Sequence, residues 1–115
     1  KPLEHRITEL MLLLGVPAHL RGYQYLREAI FMVATRPDTR HQMAKIVYGQ
    51  IAKKHDVSNY TVERAIRHAI EIAWSRGDMD TKARIFGYTV QAAKGRPTNT
   101  EYIAAVADYL ILATT

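Results

Sequence analysis

The sequence predicts an all-α fold: a single domain, residues 1–115, of about six helices with a helix-turn-helix embedded near its middle. Three observations lead there. Apolar residues recur at spacings of three and four through most of the chain, whereas the two-residue alternation of a half-buried strand is scarce. Gly, Pro, Asp, Ser and Thr punctuate this periodicity at helix-length intervals. Within residues 48–74 a short helix, a turn of about four residues and a longer helix follow one another, which is helix-turn-helix order.

Residues 3–14 make the first predicted helix, with Ile7, Leu10, Met11 and Leu14 on one stripe. Gly15 supplies a left-handed stop and Pro17 prevents continuation. Gly22 precedes the second helix, 23–35, whose stripe is Tyr23, Leu26, Ala29, Ile30 and Val33. Arg36 ends it, because the residue before Pro37 is pushed out of helical geometry. Asp38 or Thr39 is placed to cap a third helix carrying Met43, Ile46 and Val47. Gly49 offers a break, and residues 50–55 then form a short helix with Ile51 and Ala52 inward. Residues 56–59 make a tight turn, with Ser58 or Asn59 as cap for the long helix 60–77. Gly77 ends that helix, and Arg76 suits its C-terminal dipole. Asp78 or Asp80 caps a short helix through Phe86, closed by Gly87. Residues 88–96 have no clear period, and a brief extended piece fits at 88–92. Thr98 and Glu101 form a capping box that opens the last helix, with Ile103, Val106, Ala107, Leu110 and Ile111 inward.

The helix 60–77 organises the rest. Val62, Ala65, Ile66, Ala69, Ile70, Ala73 and Trp74 draw one apolar stripe, and the opposite face carries Tyr60, Arg64, Arg67, His68, Glu71 and Ser75, with Glu63 at the border. The helix-turn-helix spans about 49–76. Ala52 meets the need for a small residue where its two helices cross, and Ile51, Val57, Val62 and Ala65 lock the pair. Asp56 stands where such a turn often has glycine, and Asp tolerates left-handed geometry better than most residues. His55 stands where an aliphatic residue is usual.

Charge points to the partner. Residues 40–77 hold seven Lys or Arg against three Asp or Glu, so they carry +4 of the chain's net +5. A basic segment centred on a helix-turn-helix fits a polyanion, and double-stranded DNA is the expected partner. Arg64 and Arg67 then point into the major groove, where an arginine fork matches guanine O6 and N7. Glu63 accepts from cytosine N4, and His68 meets a base edge or a phosphate. Arg40, Lys53, Lys54, Ser58, Asn59 and Tyr60 lie toward the DNA backbone, where contacts position without specifying. Glu63 and Arg67, four residues apart, also fit a plain surface ion pair, and Lys53 and Lys54 fit ordinary solvated lysines.

Other classes find little support. No apolar run approaches the ~20 residues of a membrane span or makes a secretory signal. The absence of cysteine excludes disulfides and thiolate metal sites and fits a reducing cytosol, so a cytoplasmic location is expected. The chain starts at Lys1 without methionine, which suggests a fragment or a processed product. His68 and Glu71 share a face, but no second pair completes a metal site, and no metal or cofactor is expected. His5, His19, His41 and His55 are scattered and read as structural, and Tyr23, Tyr25, Tyr48 and Tyr88 as packed with their hydroxyls at the surface. HExxH, Walker-type and nucleophile-elbow motifs are missing, so no enzyme is expected. The competing class is a helical adaptor docking an acidic protein. Structured-RNA binding lacks an aromatic stacking platform.

The run VERAIRHAIEIAWSRG (62–77) closely resembles the recognition helix of the master sporulation response regulator of endospore-forming bacteria, the stage 0 sporulation protein A family. The likeness extends to GVPAH (15–19), GYQYLREAI (22–30), IAKKH (51–55), FGYTV (86–90) and RPTNTEYIA (96–104), nearly the whole chain. It covers the C-terminal effector domain, without the receiver domain. Gly49 stands where relatives are expected to have proline, and Tyr109 where they are expected to have a basic residue. The resemblance implies a six-helix fold and binding to a short box with a TGTCGAA-like core, with head-to-tail self-association on tandem boxes. It also implies that Glu63, Arg64, Arg67 and His68 face the DNA. Finally, it implies activation or repression of transcription through RNA polymerase sigma factors, with residues 77–88 and the last helix near Ala107 as contact surfaces.

Overall fold

A computed structural model describes residues 1–87 and 95–113 of the chain. Six α-helices lie among them: α1 (Leu3–Leu13), α2 (Arg21–Thr35), α3 (Gly49–His55), α4 (Asn59–Trp74), α5 (Met79–Phe86) and α6 (Asn99–Leu112). Between α2 and α3 the chain winds tightly as a 3-10 helix, Pro37–Gln42, and then widely as a π-helix, Met43–Tyr48.

Helix α2 is the centre of the core. Its Leu26, Ala29, Ile30 and Val33 are fully buried, and it packs extensively on both α4 and α6. The α4 stripe (Val62, Ile66, Ala69, Ile70, Ala73) and the α6 stripe (Ile103, Val106, Ala107, Leu110) close over it. Ile7, Met11 and Leu14 of the α1 segment complete one continuous apolar cluster. Most residues of the expected stripes are therefore the buried ones, with Tyr23, Ala65, Trp74 and Ile111 half-buried at the edges, because a helix survives in a small domain by burying one face.

Glycine decides how closely α2 and α4 approach. Gly22 is inside α2 rather than before it, and a Cβ built there would lie 2.0 Å from the Ala65 carbonyl oxygen. No side chain fits, so the two backbones touch. A second close approach joins the chain on either side of the bundle: Gly15, at φ 78°, abuts Gly77, and the Asp78 amide donates to the Leu13 carbonyl at 2.8 Å.

Several local expectations change. Neither Asp38 nor Thr39 caps a third helix; the 3-10 segment starts at Pro37, and Thr39 is buried with its hydroxyl on the Arg36 carbonyl. Gly49 does not break the chain but is helical (φ −60°, ψ −45°), marking the change from π to α winding. Asn59 donates to the Ala44 carbonyl at 3.0 Å within the wide segment, a side-chain bond that no local pattern announces. Gly77 does not end α4, which stops at Trp74; its function is the close approach just described. Tyr25 and Tyr48 are buried, and the Tyr48 hydroxyl accepts from Asn99 instead of facing water. The extended piece expected at 88–92 lies outside the described residues.

Caps follow the sequence closely. Ser58 caps α4, Asp78 caps α5, and Thr98 with Glu101 forms a complete capping box on α6. Phe86 of α5 meets Trp74 edge-on at 5.2 Å and stacks on Tyr102 of α6 at 4.9 Å. Tyr102 is buried, and its hydroxyl finds no hydrogen-bond partner among the described residues. An unmet buried hydroxyl carries a desolvation cost of ~1–3 kcal/mol. Tyr102→Phe should accordingly keep or raise the melting temperature, and a clear fall in thermal denaturation would mean that the hydroxyl is bonded.

Candidate nucleic-acid interface

The short helix, turn and long helix expected between 49 and 76 are present as α3, the turn 56–58 and α4. Asp56 takes the left-handed conformation, φ 55°, ψ 50°, at the C-cap of α3. An Asx residue accepts that geometry more readily than most, which is how the turn forms without glycine. The Val57 amide then returns to the Ala52 carbonyl at 3.0 Å, and Ser58 accepts from the Thr61 amide at 3.0 Å. Ile51 and Ala52 are buried beneath α4, so the crossing is close.

A polar network fixes α3 from below. Glu28 of α2 receives His55 at 2.8 Å, Gln24 at 2.8 Å and Lys54 at 3.2 Å, and Tyr25 meets the His55 ring edge-on at 5.1 Å. Burial works against the Glu28 charge, yet the hydrogen bonds from Gln24, His55 and Lys54 prevail and hold its carboxyl below the ordinary value. The position expected to hold an aliphatic residue is thus a polar tie from α3 to α2.

On α4 the side chains expected to read bases share one exposed or half-exposed face. Arg64 lies over the Tyr60 ring at 5.5 Å and has no protein acceptor among the described residues. Arg67 is closed on Glu63: its Nε donates at 2.9 Å and its Nη2 at 2.6 Å to the two carboxylate oxygens. This hydrogen bonding raises the arginine's pKa further. The ion pair therefore exists in the protein alone, with Nη2 against both Glu63 oxygens, and among the described residues the Nη1 hydrogens remain for another acceptor. His68 is exposed on the same face.

The outer residues divide. Lys53 is exposed with no ion pair among the described residues, whereas Lys54 reaches Glu28. Ser58 is occupied as the cap and Asn59 by Ala44, while Tyr60 is 63% exposed. Arg40 departs from expectation. Its guanidinium grips both oxygens of Asp108 on α6, at 3.0 and 2.7 Å, and that bonding raises its pKa. It fastens the 3-10 segment to α6. Ala107, expected to mark a contact surface, is fully buried; Asp108 and Leu112 face outward there instead.

Sequence reading missed Arg96 and Asn99. The Arg96 Nη2 donates to Glu71 at 3.1 Å, and the Asn99 amide donates to the Glu63 carbonyl and the Tyr48 hydroxyl, each at 3.1 Å. Both come from beyond α5, so no local spacing reveals them. No group of three His, Asp or Glu side chains gathers as a metal site among the described residues.

A family model described as the C-terminal domain of the sporulation initiation factor Spo0A matches residues 7–110. The chain belongs to that family. Spo0A C-terminal domains are DNA-binding regulators of sporulation initiation, a transcription-factor family and not an enzyme family. The match takes in all of α2 through α5 and most of α1 and α6, so the helix-turn-helix and its supporting helices belong to the family fold. No helix among the described residues is long and apolar enough to cross a membrane.

Proposed function

We propose that this Spo0A-family domain reads a short DNA box with a TGTCGAA-like core by laying α4 in the major groove. The observation that supports this best is the face of α4 itself. Arg64 stands there without a protein acceptor among the described residues, beside an Arg67 whose fork is aimed by Glu63. An arginine held ready and unspent is suited to bidentate contact with guanine. Glu63 accepts from cytosine N4, and His68 takes the outer edge of the same site.

Around that face Lys53, Lys54, Tyr60 and the N-terminal turn of α4 at Ser58 and Asn59 contact phosphates, since the first amides of a helix have no partner within it. Arg40 is left out of this set because Asp108 occupies its guanidinium. Two copies pair head to tail on tandem boxes, and sigma factors of RNA polymerase dock on α5 and on the outward face of α6 at Asp108 and Leu112.

Selection of bound sequences from a random DNA pool tests the reading. Enrichment of one box with a GTCGA-like centre is expected; recovery of unrelated sequences with no salt-dependent binding would favour a protein adaptor. For Lys53→Gln the affinity should fall alike on the box and on scrambled DNA, with a salt slope shallower by about one ion. An unchanged slope would mean that Lys53 touches no phosphate.

A further inference from the structure

We propose that Arg96 is a DNA-backbone contact, a second limb of the interface supplied from outside the helix-turn-helix. This rests on the DNA-reading role of α4. Arg96 immediately precedes Pro97 and the cap of α6, yet its guanidinium lies at the reading helix, 3.1 Å from Glu71. Glu71 shares the exposed face of Arg64 and His68, seven residues beyond Arg64 and hence about 10 Å further along the helix. A helix ~10–12 Å across fills a major groove ~12 Å wide, so cations at its margins stand against the sugar-phosphate walls. Arg96 is such a cation. Only its Nη2 is engaged among the described residues, and its side chain is 45% exposed. A planar fork with five donors can hold Glu71 and a phosphate at once.

The segment that carries Arg96 is held in register with α4. Asn99, three residues on, donates to the main-chain carbonyl of Glu63 and to Tyr48, so the start of α6 is tied to the reading helix beside Glu63. Thr98 and Glu101 occupy each other's backbone groups in the capping box, which leaves the phosphate to the Arg96 side chain. A cleft of about 590 Å³ separates this segment from α4, with Glu63, Arg67 and Arg96 among its walls. Two cations, Arg67 and Arg96, thus stand on one flank of the reading face.

A simpler role for Arg96 is to cancel the Glu71 carboxylate, which would otherwise face the DNA, and the two roles separate in one experiment. DNA affinity is titrated against salt, on the enriched box and on an unrelated duplex, for the parent chain, Arg96→Gln, Glu71→Gln and the double variant. For a phosphate contact, Arg96→Gln makes the slope of log affinity against log salt shallower by about 0.9. The loss between 50 and 200 mM salt then shrinks by about 3–4-fold, on both duplexes and with Glu71 or with Gln at 71. An unchanged slope overturns the contact, as does a change that vanishes once Glu71 is replaced. If the parent chain shows no salt-dependent DNA binding, the DNA-reading function itself fails and takes this contact with it.

Discussion

Arg64→Ala should lose ~1–3 kcal/mol of affinity for the cognate box and relax the preference at a single base position. The size follows from the free protein. Among the described residues Arg64 has no acceptor to give up on binding, only the Tyr60 ring beneath it, so its fork can turn to a guanine edge. Arg67 differs. It brings its Glu63 bond with it, and Arg67→Ala also frees a carboxylate beside the DNA, so its loss mixes a missing contact with a new repulsion. Competition binding of the box and its single-base variants separates the two. If Arg64→Ala weakened cognate and scrambled DNA equally, Arg64 would be a backbone contact and the reading face would have to be redrawn around Arg67 and His68.

Gly22→Ala should be the most damaging small substitution in the domain. The added methyl would stand 2.0 Å from the Ala65 carbonyl oxygen and 2.6 Å from its carbon, which are backbone atoms of α4 that no rotamer change can move aside. Overpacking of this kind costs ~1–3 kcal/mol and occasionally more, and a backbone collision belongs at the upper end. The melting temperature should fall by roughly 10–20 °C. Any molecules that remain folded should bind DNA less tightly, because the clash pushes the reading helix away from its support. Gly49→Ala is the counter-case. Its nearest neighbours are 3.8 Å away and its backbone is helical, so alanine should stabilise by roughly 0.5–1 kcal/mol. A Gly22→Ala protein melting with the parent would show that the α2–α4 contact relaxes at no cost.

Helix existence was legible because each helix writes its own boundary code and buried stripe into nearby residues. Ser58, Asp78 and the Thr98–Glu101 box cap the helices that they precede, and Asp56 shows its tolerance of left-handed geometry within one turn. The face of α4 was legible for the same reason: a 3.6-residue period places Arg64, Arg67 and His68 opposite Ile66, Ala69 and Ile70, whatever packs there. The winding of residues 37–48 was not. Tight and wide turns differ by one hydrogen-bond step, and side chains arriving from elsewhere, such as Asn59 on Ala44, help to set the outcome.

The sequence by itself determined an all-helical domain with a helix-turn-helix in a basic segment and a capped long helix that carries Arg64, Arg67 and His68 on its outer face, because caps, stripes and local charge depend on residues within a few positions of one another. Tertiary structure alone decided which of those charges remain available. Arg40 is withdrawn to Asp108, 68 residues away, and His55 leans on Glu28, whereas Lys54 reaches Glu28 and stays exposed. Arg96 is brought to Glu71 across 25 residues. A salt bridge forms wherever the fold places opposite charges within reach, and that placement follows from the packing of α2, α4 and α6 against one another. The same packing explains Gly22, which the sequence places just before the second helix and which proves to be the point where two backbones meet.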